Sequence, residues 1–358
     1  MPFSLRAVLV ALVLGTAALA GCRFGASADD AVAAAEKSVA DKDYKSAVIS
    51  AKSALQKEPE NARARLLLGQ ALLEDDQPAA AAIELQKALE LGAPEAKVVP
   101  LLARAKLGTG ATREVTLAYG ATRLDDAHAS ADLKTTVATA FLLLGDKAGA
   151  LDTVQAALRE WPQYAPATLL LAHLSAADGD GARALALADE VLARTPKDGK
   201  ALALKAALLR SVNNDADGAL AAYRAAVAAD PRQAAAHAEI IAMLLERHDV
   251  AGAKEQFAQL AKALPNHLTT LLYDARLAYL DKDYTRARDV AERLLKNYPN
   301  DWRALLVAGL AEAQLQHAAK AETYLAQASK ARPDAVLPRQ ALAQLYLRAG
   351  RARDAIGL

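Results

Sequence analysis

The sequence predicts an all-helical solenoid in which short antiparallel helix pairs stack one on the next. Three observations carry this reading. Alanine, the strongest helix former, supplies 91 of 358 residues, while Phe, Trp and Tyr together make up only 4%. Prolines recur at Pro59, Pro94, Pro162, Pro196, Pro231, Pro265, Pro299 and Pro333, with spacings of 35, 68, 34, 35, 34, 34 and 34; the double step leaves a missing rung at His128. A second ladder runs about twelve residues ahead of the prolines: Ala47, Ala81, Ala150, Ala184, Ala219, Ala253, Ala287, Ala321 and Ala355, with Thr116 in its gap. Two residue types sharing one period mark a repeated structural unit. No such unit can bury its apolar face alone, so neighbours must stack.

The elements follow in chain order. Residues 1–21 read as a signal peptide, with Arg6 ahead of an apolar run from Ala7 to Leu14 that continues to Ala20. That run is shorter than the roughly 20 apolar residues a membrane span needs. Residues 22–27 form a tether, and 28–358 an array of about ten repeats. In each repeat the ladder alanine sits where the second helix crosses the first, and a larger side chain would force them apart. Between the helices the turn suits residues tolerant of left-handed backbone angles: Asp76, Gly145, Gly179, Asn213 and Gly350. Asp41-Lys42-Asp43-Tyr44 recurs as Asp281-Lys282-Asp283-Tyr284, which marks a structural turn. Proline after the second helix keeps it from continuing. In the repeat from Leu268 the helices are read as Leu271 to Leu280 and Tyr284 to Lys296, with Leu272 and Tyr279 on one face. The third repeat, Lys97 to Asp126, places Pro100 and Gly120 at helical positions, so an irregular or shortened helix is expected. The last repeat stops inside its second helix with no polar cap, which leads us to expect a truncated chain.

The period and its residues resemble the tetratricopeptide repeat. Leu68-Gly69 followed by Leu72 matches the first part of that pattern, and Ala253 with Phe257, Ala219 with Tyr223 and Ala81 with Leu85 match the second; the proline ladder matches the third. The resemblance implies a right-handed superhelix whose first helices line the inner wall, with positions 2, 5, 9 and 12 of each repeat pointing inward. Carried onto this chain, the inward set includes Arg63, Gln70, Lys200, Arg210, Arg276, Tyr279 and Arg303. Its charged members are all basic, although Asp29, Glu36, Asp132 and His173 fall at the same positions elsewhere. A basic groove would suit an acidic peptide or an anionic polysaccharide.

Catalytic chemistry finds little support. The 43 basic and 42 acidic residues nearly balance, which argues against a nucleic-acid binder. The single cysteine excludes an internal disulfide framework and a thiolate metal cluster. His128, His173, His237, His248, His267 and His317 include no pair three or four residues apart, so no helix offers a metal-binding pair; they read as solitary, exposed or partly buried residues. No nucleophile elbow, zinc-protease or phosphate-loop motif occurs. Asp75-Asp76 and Asp125-Asp126 read as solvated turn residues. The expectation is a non-enzyme that takes neither cofactor nor metal.

Leu19-Ala20-Gly21-Cys22 resembles the lipobox of bacterial lipoproteins. This implies cleavage before Cys22, lipidation of its thiol, and an anchor of two or three acyl chains. With Arg23 rather than aspartate next, it also implies the periplasmic face of the outer membrane. Several phrases resemble the tetratricopeptide lipoproteins of the PEP-CTERM/exosortase system: Ala54-Leu55-Gln56-Lys57, the run Ala64 to Gly69, the run Ala88 to Pro94, the run Val98 to Arg104, Asp132-Leu133-Lys134 and Pro265-Asn266-His267. That resemblance implies an interaction scaffold for exopolysaccharide export or surface-protein sorting, with partners among the proteins of an envelope complex. Two alternatives stay open at this stage: a general outer-membrane assembly scaffold, and the non-catalytic part of an enzyme whose catalytic domain lies beyond residue 358.

Overall fold

The computed structural model describes residues 27–358. Twenty α-helices and no strand occur among the described residues. They form ten pairs: α1 (Ala28–Ala40) with α2 (Tyr44–Lys57), α3 (Ala62–Glu74) with α4 (Pro78–Glu90), α5 (Glu95–Gly108) with α6 (Thr112–Tyr119), and α7 (Ala127–Leu143) with α8 (Lys147–Glu160). These belong to a first compact unit that ends at Pro162. The second unit, Gln163–Leu358, holds α9 (Ala165–Ala177) with α10 (Gly181–Arg194), α11 (Gly199–Ser211) with α12 (Ala216–Ala229), and α13 (Ala234–Glu246) with α14 (Val250–Ala263). It continues with α15 (Leu268–Leu280) and α16 (Tyr284–Asn297), α17 (Trp302–Gln314) and α18 (Ala318–Ala331), and α19 (Val336–Arg348) and α20 (Ala352–Ile356). We call the first helix of each pair A and the second B.

Each boundary has a local cause. Where a proline follows it, helix B ends two residues before that proline, and the residue between them is driven out of the helical region by the proline ring. Glu58, Trp161, Thr195, Asp230, Leu264, Tyr298 and Arg332 accordingly have φ between −130° and −143° and ψ between 64° and 99°. Helix A ends in a tight turn whose last amide reaches back five residues in the Schellman pattern, as Asp146 N does to Phe141 O and Asp283 N to Ala278 O. The residue before that amide is left-handed: Lys42, Asp76, Gly145, Gly179, Asn214, His248, Lys282, Gln316 and Gly350. The next residue opens helix B, usually as an aspartate whose carboxylate accepts an amide hydrogen bond in the first turn, for example Asp43 from Ser46, Asp180 from Arg183 and Asp283 from Arg286. The recurring Asp-Lys-Asp-Tyr turn is therefore one structural device used twice.

Four positions differ from the sequence reading. The left-handed residue between α11 and α12 is Asn214, not Asn213, because that turn is one residue longer than its counterparts. Pro94 caps the start of α5 instead of following the end of a B helix; Gly92, at φ 82°, makes that bend. In the third repeat the expected shortening is found in α6, which spans only eight residues and stops at Gly120, while α5 stays full length with Pro100 inside it, five residues from its start. No proline closes the repeat there, so α7 begins at Ala127, capped by Asp126, and His128 lies inside it. The buried ladder residue of α6 is accordingly Val115, fully buried, and not Thr116.

Elsewhere the ladder alanines Ala47, Ala81, Ala150, Ala184, Ala219, Ala253, Ala287 and Ala321 have no exposed surface at all. Two repeats bring A and B closer still. A β-carbon on Gly69 would lie 2.5 Å from Leu85 Cγ, and one on Gly309 would lie 2.7 Å from Leu325 Cγ. At the equivalent positions of other repeats smaller pairs stand buried, Ala172 with Ala188 and Ala275 with Ala291. Where B carries leucine at this position, as at Leu85 and Leu325, A carries glycine, so the larger side chain is met by the smallest residue.

His237 is a buried exception among the histidines, at 1% exposure. Gln256 of α14 donates to its Nδ1 at 2.6 Å, so Nε2 carries the proton and donates to the Pro231 carbonyl at 3.0 Å. Burial holds the imidazole below its ordinary pKa. One neutral ring thus ties α13 to α14 and to the turn that precedes them.

Candidate partner-binding cleft

Most successive A helices within a unit touch, α1 with α3, α3 with α5, α5 with α7, α9 with α11, α13 with α15, α15 with α17 and α17 with α19, while each B helix packs mainly between its own A helix and the next. The closer spacing of the A helices bends each unit so that they form its inner wall. The expected inward positions lie on this wall, but the structure does not gather them into one basic groove.

In the first unit, Arg63 of α3 is ion-paired with Glu36 of α1. Gln70 lines a polar cleft of about 430 Å³ with Leu66, Lys97, Pro100, Asp126 and Asp132. In the second unit, Lys200 is exposed at the start of α11. Arg210 reaches two carboxylates of α13, Glu239 at 2.9 Å and Glu246 at 2.8 Å, so its charge is answered inside the fold. Arg303 is answered too: its guanidinium lies 2.6 Å from Asp301 Oδ2. Asp301 also caps α17 through the amides of Arg303 and Ala304. Burial alone would raise the Asp301 carboxyl, but the hydrogen bonds from Arg303 and the Ala304 amide hold it below its ordinary value. The expectation of a uniformly basic groove is thereby corrected, because Arg63, Arg210 and Arg303 are each neutralised by acidic neighbours.

Three of the expected residues do converge. Arg276, Tyr279 and Arg303 line a cleft of about 310 Å³ between α15, α17 and α19. Leu272, Leu280, Trp302, Leu306, Val307, Leu310 and Leu337 complete its lining. Leu280 and Leu337 keep 49% and 60% of their surface exposed, so the cleft has an apolar rim open to a partner. Arg276 is seated on the face of Tyr273, 5.1 Å from the ring centroid. Tyr273 is itself fixed, since its hydroxyl donates to the Ala238 carbonyl at 2.9 Å, and burial raises its pKa. Among the described residues no carboxylate lies within ion-pair distance of Arg276. Tyr279 packs obliquely on Tyr284, centroids 5.4 Å apart.

The register explains this convergence. Position 9 of one repeat meets position 2 of the next. Glu36 and Arg63 hold those places at the first junction and form an ion pair. Arg276 and Arg303 hold them between α15 and α17, and Leu310 and Leu337 between α17 and α19. Arg303 is answered by Asp301, but Arg276 beside it is not, and next to the two leucines of the following junction this leaves a surface that does not satisfy itself. The positions of Arg276, Tyr279 and Arg303 were legible in the sequence; Trp302 and the leucines were missed, although an aromatic at the first turn of a helix facing its neighbour was a usable signal.

Cys22 lies outside the described residues. Among those residues no group of histidine, cysteine, aspartate and glutamate could hold a metal, and no helix is long and apolar enough to cross a membrane.

Comparison with known proteins agrees with this geometry. Two tetratricopeptide-repeat family models match the sequence, one over residues 38–106 and 141–208, the other over 243–301 and 274–336, together well over half the chain. No curated protein matches. The structure is similar to Cut9 in the crystal structure of the APC/C hetero-tetramer Cut9–Hcn1, with a TM-score of 0.61 at 14% identity, over 84% of this chain and 59% of that one. The chain thus spans little more than half the length of that relative. Yeast Tom70 aligns with a TM-score of 0.49 at 14% identity, over 92% of this chain and 83% of Tom70. PilW, a type IV pilus biogenesis factor, aligns with a TM-score of 0.48 at 18% identity, over 59% of this chain and 98% of PilW. With the period, the paired helices, the buried alanine ladder and the family matches in agreement, the chain belongs to the tetratricopeptide-repeat family.

Proposed function

We propose that this protein is a lipid-anchored scaffold of the bacterial cell envelope that holds partner proteins of an exopolysaccharide-export and surface-protein-sorting complex against its A-helix wall. Tetratricopeptide-repeat proteins bind other proteins, and this chain offers an open cleft in which one could be held. The single observation that carries the reading is the cleft between α15, α17 and α19, with its apolar rim and its unanswered Arg276. Leu19-Ala20-Gly21-Cys22 supports the envelope location and the lipid anchor, and the phrases from Ala54 to Arg104 support the exopolysaccharide setting. The relative of highest similarity named above was solved in a hetero-tetramer with Hcn1, which agrees with an assembly role.

A photo-crosslinking residue placed at Leu310 in cells tests this. It should capture one or a few discrete envelope proteins, identifiable by mass spectrometry as export or sorting components. The same residue placed at Asp289, on the exposed side of α16, should capture none of them. Equal capture from both positions would refute the reading.

A further inference from the structure

The cleft of the second unit joins two chemistries at a fixed separation. At the α15–α17 junction stand Arg276 and Arg303, of which Arg303 is held by Asp301 and Arg276 only by the Tyr273 ring. A cation on an aromatic face is positioned without being neutralised. Its planar guanidinium keeps donors suited to a carboxylate. At the α17–α19 junction stand Leu310 and Leu337, with Leu306 between the two junctions on α17. The volume of about 310 Å³ lies at the lower end of the range for ligand pockets, room for one or two side chains. Seven of the ten lining residues are Leu, Val or Trp, and a hydroxyl-rich sugar would find few hydrogen-bond partners among them. The apolar lining therefore favours a polypeptide over an anionic polysaccharide.

Resting on the scaffold reading above, we propose that this cleft binds an extended segment of a partner protein that offers a large apolar side chain to Leu306, Leu310 and Leu337 and a carboxylate to Arg276. The two groups stand one repeat apart. Neighbouring helices pack about 8–10 Å apart, and an extended chain advances about 3.3 Å per residue. The apolar residue and the acidic one are therefore two or three positions apart in the partner. Trp302 adds an aromatic face to the lining, and Arg303 stays with Asp301 as a fixed flank.

A library of random twelve-residue peptides on phage, panned over the immobilised chain, tests this, with a uronic-acid oligosaccharide as competitor. Selected peptides should be enriched in Phe, Leu, Trp or Met two or three places from Asp or Glu. Arg276→Gln should weaken them by about tenfold or more, because a charge-assisted contact is lost. Leu306→Ser should weaken them comparably, and Arg210→Gln should leave them unchanged. Thermal melts of each variant, followed by circular dichroism, separate loss of binding from loss of fold. Peptides without that spacing, affinity indifferent to Arg276→Gln in a folded variant, or complete displacement by the uronic-acid oligosaccharide would overturn the proposal. If no peptide is enriched while Leu310 still crosslinks to an envelope protein, the ligand class is wrong and the scaffold reading stands; if Leu310 captures nothing either, both fall.

Discussion

Replacing Gly309 with alanine measures how tightly the two helices of a repeat are pressed together. The new β-carbon would stand 2.7 Å from Leu325 Cγ, 2.8 Å from its Cδ2 and 3.2 Å from its backbone nitrogen. Carbon pairs are at their optimum near 3.5–4.0 Å, and Leu325, at 1% exposure, has no free volume to swing into. Two effects compete. Alanine in a helix interior is favoured over glycine by about 1 kcal/mol. Overpacking a closed core costs about 1–3 kcal/mol. The contact includes the branch point and the backbone of Leu325, so relief requires α17 and α18 to move apart, and overpacking wins by about 1 kcal/mol. Leu325→Ala alone should cost about 2–5 kcal/mol through the cavity it leaves. The double variant recreates the alanine pair that other repeats already use, so its loss should fall short of the sum by at least about 0.5 kcal/mol. Urea unfolding followed by circular dichroism gives the three values, and hydrogen exchange should show the loosening confined to α17, α18 and their neighbours, since a solenoid transmits strain repeat by repeat. A neutral or stabilising Gly309→Ala, or strict additivity in the double variant, would refute this account of the glycine–leucine exchange.

Three further outcomes follow from particular groups. An unfolded histidine takes up its proton near pH 6.5, whereas buried His237 does so at lower pH. Between those values the unfolded chain binds more protons, so stability falls as pH drops below about 6.5 and levels off below the folded value. His237→Gln should flatten the slope of unfolding free energy between pH 7.5 and 5.5; His173, also lowered by burial, is present in both proteins and cancels, and an unchanged slope would contradict the assignment. Asp301→Asn should keep the α17 cap, since asparagine caps about as well as aspartate, and cost less than about 1 kcal/mol in urea unfolding. By releasing Arg303 it should tighten the binding of acidic peptides to the cleft; a weaker complex in a folded variant would count against the pairing described here. Mass spectrometry of the mature protein should find an acylated Cys22 at the amino terminus, and an unmodified peptide running from Ala20 through Arg23 would dismiss the lipid anchor.

The fold was legible because its causes are local and repeated. A proline ends seven of the ten B helices through its own ring, a small residue permits most crossings, and both recur with one period. The errors arose where a local rule was modified by an insertion or a lost rung. The extra residue before Asp215 moved the left-handed position to Asn214; α6 stops at Gly120 with no proline after it, and its ladder place, the fourth residue of the helix, is Val115, one residue before Thr116. The site was legible in position but not in charge. Arg210 looked like an unopposed cation because its partners, Glu239 and Glu246, lie on the next A helix outside the inward register. Arg303 is cancelled by Asp301, the cap residue just before α17, which lies outside the inward register. What no single-repeat pattern could show is that position 9 of one repeat meets position 2 of the next. That contact turns Arg276 and Leu310, one repeat apart, into two walls of the same cleft.

The central claim, that the A-helix wall of the second unit receives the partner, is tested most directly by hydrogen exchange of the full chain with and without the envelope protein captured from Leu310. Binding should raise protection in α15, α17 and the first turns of α19, and the increase should disappear for Arg276→Glu. Protection that rises instead along α16 and α18, or that survives Arg276→Glu unchanged, would place the partner on the other face and contradict the account.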